Sequence, residues 1–129
     1  MPRLLLLCGL LAAIGCNSPT AKRWAASFPC ALQPQDHSGD ADVHAQIVAA
    51  QDYVNTHYTG SRRSTAAWPR VFYTSCAFGV DGILANGYCN YPDYIVVNNS
   101  ISPTETLALV QWEARNWWLF AIGLGSLTS

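Results

Sequence analysis

Ser102-Pro103-Thr104-Glu105-Thr106-Leu107-Ala108-Leu109-Val110-Gln111-Trp112-Glu113-Ala114-Arg115-Asn116-Trp117-Trp118-Leu119-Phe120-Ala121-Ile122-Gly123 carries the clearest local signal of the chain and decides how the rest must be arranged. Ser102 followed three residues later by Glu105 is a capping box, and Pro103 suits the first helical position, so a helix begins here; Gly123 ends it. On a helical wheel Leu107, Val110, Ala114, Trp117 and Ala121 fall on one side, while Leu109, Trp112 and Phe120 fall nearly opposite. A helix apolar on two sides must lie between layers, enter a membrane or be covered by a partner. Glu113 and Arg115 stand mid-run with Gln111 and Asn116. Charged residues at the centre of an inserted helix cost roughly 2.5 to 3.5 kcal/mol each, which ranks burial or partner contact ahead of insertion.

Working outward, Tyr94-Ile95-Val96-Val97-Asn98 and Arg70-Val71-Phe72-Tyr73-Thr74-Ser75 have the β-branched and aromatic content of strands. Asp81-Gly82 and Asn86-Gly87 are tight-turn dipeptides, so residues 77–88 should fold back as a meander. Earlier still, Val43, Ile47, Ala50 and Val54 recur at helical spacing, which predicts a helix over about 42–58 lying on a core, with Asp40 as N-cap and Gly60 as stop. His44 and His57 are too far apart to form a one-turn metal pair. The expected fold is α+β: an N-terminal helix, a short antiparallel sheet with a disulfide, and a C-terminal helix packed on the sheet.

The N-terminus has a different character. Met1-Pro2-Arg3 precedes an uncharged run from Leu4 to Ile14 and then Gly15-Cys16, the order of a secretory signal, and the run is shorter than the roughly 20 apolar residues that span a bilayer. Leu11-Ala12-Ala13-Ile14-Gly15-Cys16 resembles the lipobox of bacterial lipoprotein precursors, although Ala13 stands where such boxes usually carry leucine. The resemblance implies cleavage before Cys16 and a lipid on its sulfur, hence a protein tethered to a membrane and facing the periplasm or the outside. Ordinary secretion is the alternative. The expected division is residues 1–15 as signal peptide, 16–39 as a Pro/Ser-rich tether in which Trp24 and Phe28 can dock on the domain, and 40–129 as one α+β domain.

Removing the signal discards Cys8 and leaves Cys16, Cys30, Cys76 and Cys89. If Cys16 is acylated, Cys76 and Cys89 pair across the turn and Cys30 is left over; if it is not, Cys16 with Cys30 makes a second bridge. A Cys76–Cys89 bond would contribute on the order of 3 kcal/mol. Zinc is disfavoured, because no C-x-x-C or histidine pair accompanies these cysteines.

Charge is sparse and balanced, with a formal net charge of -1, and no basic stripe offers a nucleic-acid surface. The strand, short loop and capped helix ahead of Trp112-Glu113-Ala114-Arg115-Asn116 resemble the active-site helix of zinc metallopeptidases, in which His-Glu-x-x-His holds the metal and the glutamate activates water. Glu113 aligns with that glutamate, while Trp112 and Asn116 replace both histidines. The resemblance therefore implies an inactive relative in which Glu113 and Asn116 line a peptide- or glycan-binding pocket; the plainer reading is a surface or groove carboxylate. No nucleophile elbow, phosphate loop or metal-spaced cluster is present, and a Cys30 nucleophile paired with His37, His44 or His57 runs against the oxidising compartment. Neither cofactor nor catalytic residue is assigned. The leading expectation is a non-enzymatic, lipid-anchored interaction or structural module of the cell envelope, with a protein partner at the loop of Tyr88 and Tyr91 or at the wide apolar face around Trp112. The rivals are the metallopeptidase-like domain and a subunit of an envelope or secretion assembly.

Overall fold

The structure is a computed structural model that describes residues 26–58 and 67–124; the expected signal, Cys16, Trp24 and Gly60 lie outside them. In chain order the elements are β1 (Ala26–Ser27), α1 (Ala41–His57), β2 (Arg70–Thr74), β3 (Phe78–Val80), β4 (Ile83–Ala85), β5 (Gly87–Asn90), β6 (Tyr94–Asn98) and α2 (Pro103–Ala121). The fold is α+β. No helix among the described residues is long and apolar enough to cross a membrane.

The two helix starts differ in how they are closed. Ser102 accepts the Glu105 N–H at 3.2 Å and its hydroxyl donates to Glu105 Oε1 at 3.0 Å, completing the capping box. Gly123 follows α2 at a φ of 88°, the left-handed conformation a helix terminus favours. Asp40 stands at the N-cap of α1 but makes no side-chain cap; its carboxylate accepts from, or pairs with, His37 Nδ1 at 2.8 Å instead. α1 ends at His57, with Tyr58 at its C-cap.

Two sheets of three strands each are formed, in the orders β1-β3-β4 and β2-β6-β5. The smaller is antiparallel throughout. In the larger, β5 runs antiparallel to β6 while β2 joins β6 in parallel, from Arg70↔Tyr94 to Thr74↔Asn98. A parallel pair needs a long crossover, and here residues 75–93 supply it with β3, β4 and β5 in place of the usual helix. Asp81 and Gly82, both at positive φ, make the β3–β4 turn. Asn86-Gly87 is not a turn tip. Asn98 donates from its backbone N to Asn86 O at 2.8 Å and from Nδ2 to Asn86 Oδ1 at 3.0 Å, so this dipeptide starts the β5 ladder.

α2 satisfies its two apolar sides from within the molecule. Gln111, Arg115 and Trp118 face α1: Gln111 Nε2 donates to Gln46 Oε1 at 2.8 Å, the Arg115 guanidinium lies 3.7 Å above the Tyr53 ring, and Trp118 Nε1 donates to Ile47 O at 3.1 Å. About half a turn round the helix, Glu113 meets Gly87 of β5, and Trp117 and Phe120 meet Tyr91. The expected α1 stripe of Val43, Ile47, Ala50 and Val54 is fully buried in the same core as Val71, Cys89, Ile95 and Val97. Tyr88 and Val96 pair on the opposite face of the larger sheet and are also buried, which requires a cover. Among the described residues, Phe78 and Val80 of the smaller sheet are likewise buried outside the helix-side core.

Residues 26–39 are part of the folded unit. Phe28 packs on Phe78 at 4.9 Å between ring centroids, as docking of the leading segment would require. Beyond it the chain runs along the free edge of β2, where Gln33 N donates to Tyr73 O and His37 N to Val71 O, both at 2.8 Å. The Val71 N–H donates to Asp36 Oδ1 at 3.0 Å. Burial alone would raise the Asp36 pKa, but the amides of Val71 and Ser38 and the charge of Arg70 outweigh it and hold the carboxyl below its usual value.

The expected Cys76–Cys89 bridge does not form. Cys76 is bonded to Cys30, with a Cα–Cα distance of 5.9 Å, and this fastens the leading segment to the end of β2. Cys89 is disulfide-bonded too. The reason is the side-chain direction on β5: Cys89 pairs with Ile95 and lies in the helix-side core, so closeness along the chain does not bring it to Cys76. The Cys30–Cys76 bond closes a separation of 46 residues, and on the chain-entropy argument it contributes about 4 kcal/mol. The double variant Cys30→Ala/Cys76→Ala should therefore lose about that much in urea denaturation, whereas a loss below about 1 kcal/mol would mean that the segment is held by its hydrogen bonds alone.

Candidate functional site

Glu113 is the most unusual polar group of the core. It projects from the middle of α2 toward β5, is only 1% exposed, and accepts from Asn116 Nδ2 at 3.2 Å on the next turn. The strand above it carries no side chain at the point of contact: a β-carbon added to Gly87 would stand 2.9 Å from Glu113 Oε2 and 3.2 Å from its Cγ. Glycine is therefore needed at this position for close approach, not for a turn. Loss of solvation outweighs the bond from Asn116 and pushes the Glu113 pKa up to about 8, so near neutral pH the group is mostly a neutral carboxylic acid.

These facts bring two of the sequence-selected residues together and separate the others from them. Glu113 and Asn116 form a bonded pair, but in the core, not in a groove open to solvent. Tyr88 and Tyr91 are buried, Tyr91 between Trp117 at 4.8 Å and Phe120 at 5.6 Å, so the expected tyrosine-lined binding loop is core packing. Trp112 is half-buried. Cys30 is consumed by its bond to Cys76, which removes it as a nucleophile for any of the histidines. A carboxyl that is uncharged and shut off from water is poorly placed to activate a water molecule. Among the described residues, no three His, Cys, Asp or Glu side chains gather where they could hold a metal ion.

The surface offers something the sequence reading missed. Ser27, Gly79 and Leu84 lie side by side across β1, β3 and β4. Gly79 leaves a gap between its neighbours, and a groove of about 530 Å³ is lined by Ala26, Ser27, Gly79, Asp81, Gly82, Ile83 and Leu84. Leu84 is 78% exposed and Ile83 38%. The signal was present in the chain as two aliphatic residues directly after the Asp81-Gly82 turn, where a solvent-facing hairpin would carry polar side chains. A smaller aromatic patch lies elsewhere: Trp68, 44% exposed, stacks on His44 at 5.1 Å and meets the edge of Trp118 at 5.3 Å.

Glu113 makes stability depend on pH in a defined direction. Its folded pKa lies above the unfolded value, so the native state holds the proton between about 4.5 and about 8 while the unfolded chain releases it, and stability falls as pH rises through that window. Glu113→Gln keeps the shape and the acceptor for Asn116 but cannot ionise. Relative to the parent, this variant should gain up to roughly 1.4 kcal/mol per pH unit between pH 5 and pH 8 in urea denaturation; a constant difference would show that Glu113 titrates like an exposed carboxylate. Gly87→Ala should cost about 1 to 3 kcal/mol by overpacking against Glu113. Combined with Glu113→Ala it should cost less than the sum of the two single changes, and strict additivity would argue against the contact.

Comparison of the chain with protein-family models, curated proteins and solved structures gave no match.

Proposed function

We propose that this chain is an exported, disulfide-stapled module of the cell envelope or extracellular space that binds a protein partner through the β3–β4 hairpin and performs no chemistry of its own. The observation that carries the reading is the exposure of Leu84 beside Ile83 at the rim of the groove over Gly79. A small domain that buries Tyr88, Tyr91, Trp117 and Trp118 yet leaves Leu84 largely in water has a surface suited to contact with an apolar side chain. The Cys30–Cys76 bond supports an oxidising compartment, and the signal-like N-terminus supports the route to it. Asp81 at one end of the groove favours a partner segment that brings a positive charge next to its apolar residue.

A second reading, a metallopeptidase-like fold turned to binding, is favoured by one feature: a strand antiparallel to its neighbour passes over the helix that carries Glu113 and Asn116. Zinc that co-purifies stoichiometrically and is lost on Glu113→Ala would bring that reading forward.

A photoreactive residue placed at position 84 in the producing cells should cross-link to one discrete protein, while the same residue at the exposed position 105 should not. Ile83→Asp should weaken the cross-link roughly tenfold, the effect of losing one interface anchor. Equal labelling from positions 84 and 105 would sink the assignment of the hairpin.

A further inference from the structure

Gly79 sits in the middle of β3, the strand between β1 and β4, and the two ordinary reasons for a strand glycine fail there. Its φ is not positive, and a β-carbon added to it would meet nothing closer than Ser27 O at 3.9 Å and Ser27 Cβ at 4.0 Å, both ordinary contacts. Gly82 is held to its left-handed turn and Gly87 to its approach to Glu113, whereas Gly79 could carry a side chain. A glycine inside a strand weakens it. Where neither conformation nor packing calls for one, the missing side chain marks a place at which a ligand or another chain approaches the backbone. On the reading of the hairpin as a protein-binding surface, on which this rests, we infer that the groove over Gly79 receives an aromatic side chain from an extended segment of the partner, with a lysine or arginine two residues along that segment beside Asp81.

The shape of the groove points to a ring. Paired residues of an antiparallel ladder share a face, so Ser27, the gap at Gly79 and Leu84 stand in a row on the outward side, the flanking strands about 10 Å apart. Phe78 and Val80 point to the other side, where they are buried. The opening suits a ring laid flat on the peptide groups of Gly79. Sheets cover such a glycine with an aromatic residue of the neighbouring strand. Here the neighbours are a serine and a leucine, so the ring has to come from outside the sheet. Leu84, 78% exposed, gives its edge an aliphatic wall, and Ser27 gives it a polar one.

The charge of the groove selects what accompanies the ring. Asp81 is the one charged side chain among the described residues that line it, and it stands at the turn end, two residues beyond Gly79. Residues two apart in an extended segment share a face at a spacing of about 7 Å, so a ring over Gly79 brings the residue two positions away within reach of the Asp81 carboxylate. A lysine or arginine there gains a counter-ion, and an acidic residue meets repulsion. A second copy of this chain offers a different knob, its own Leu84. A two-fold axis that set Leu84 of each copy over Gly79 of the other would run along the strands and bring both Asp81 carboxylates to the same end of the contact. Like charges there oppose self-association and leave the groove to a cationic partner.

Titration of the oxidised protein with the peptide acetyl-Gly-Phe-Ser-Lys-Gly-amide, followed through the backbone amide NMR signals of Ser27, Gly79 and Leu84, tests this chemistry. Saturable shifts confined to the groove are expected. Replacing Phe of the peptide by Ala should weaken binding roughly tenfold, and replacing its Lys by Glu about two- to fivefold. Asp81→Asn keeps a residue that tolerates the left-handed turn and should abolish the preference for Lys over Glu. Gly79→Ala should leave Tm unchanged or raise it by up to about 5 °C, yet weaken the Phe peptide roughly tenfold. An absence of shifts at about 10 mM peptide, ten times a millimolar Kd, would overturn the inference. So would binding indifferent to Gly79→Ala, a Tm lowered by that change, or a dimer of the protein that Leu84→Ser breaks. Failure of the hairpin reading looks different, because residue 84 then cross-links to no protein in the producing cells. A cross-link from residue 84 that keeps its full yield in Gly79→Ala and Asp81→Asn leaves the hairpin as the interface and removes the aromatic and cationic partner.

Discussion

A helix that is apolar on opposite sides cannot be stable at the surface of a small protein, and α2 is such a helix. Its burial therefore dictates what every other element does. One side requires a second helix, which α1 provides with a single stripe of aliphatic residues; the other requires a sheet, which β5 and β6 provide. Among the described residues the polar side-chain atoms carried inward by this arrangement are matched individually, the Arg115 Nε excepted. Both indole nitrogens of the Trp117-Trp118 pair donate to backbone carbonyls, of Ala67 and Ile47, and the Arg115 guanidinium lies on an aromatic face and donates from Nη2 to Gln111. Such pairing is what allows large amphipathic side chains to be buried at little cost.

Placing a sheet against the second side of α2 creates the problem that Glu113 embodies. The carboxyl reaches β5 at a glycine, with enough room for its atoms and too little for hydration. Protonation resolves the conflict more cheaply than burying a charge, whose desolvation is seldom recovered without a close counter-ion. Glu113 is thus a neutral hydrogen-bonding group within the packing.

Local features of the fold could be read from the chain because local interactions determine them. The capping box at Ser102, the aliphatic stripe of α1, the strand content of residues 94–98 and the turn at Asp81-Gly82 all lie within a few residues of the atoms that satisfy them. Partner choice across the chain could not be read in this way. The nearness of Cys76 to Cys89 in sequence suggested a bond, but alternation along β5 turns Cys89 inward, and the disulfide partner of Cys76 comes from the leading segment. Asn86-Gly87 had the composition of a hairpin and became a strand start, because Asn98 supplies long-range hydrogen bonds to it. Asp40 had the chemistry of a cap, but His37, three residues earlier, competes for its carboxylate. The candidate site was half legible: Glu113 and Asn116 were found as a pair, while their burial depends on Gly87, which no pattern in α2 announces.

The run of chain along β2 has a consequence for colloidal behaviour. β2 is an outer strand, and its backbone groups at Val71 and Tyr73 are occupied by His37, Asp36 and Gln33. The protein thereby closes off a rim on which strands of neighbouring molecules could otherwise accrete. That protection comes from a segment with little regular structure, secured by one covalent link at Cys30. A single proteolytic nick between Cys30 and α1, or reduction in a thiol-rich environment, would loosen that cover and leave the outer edge of β2 open to pairing with a strand of another molecule.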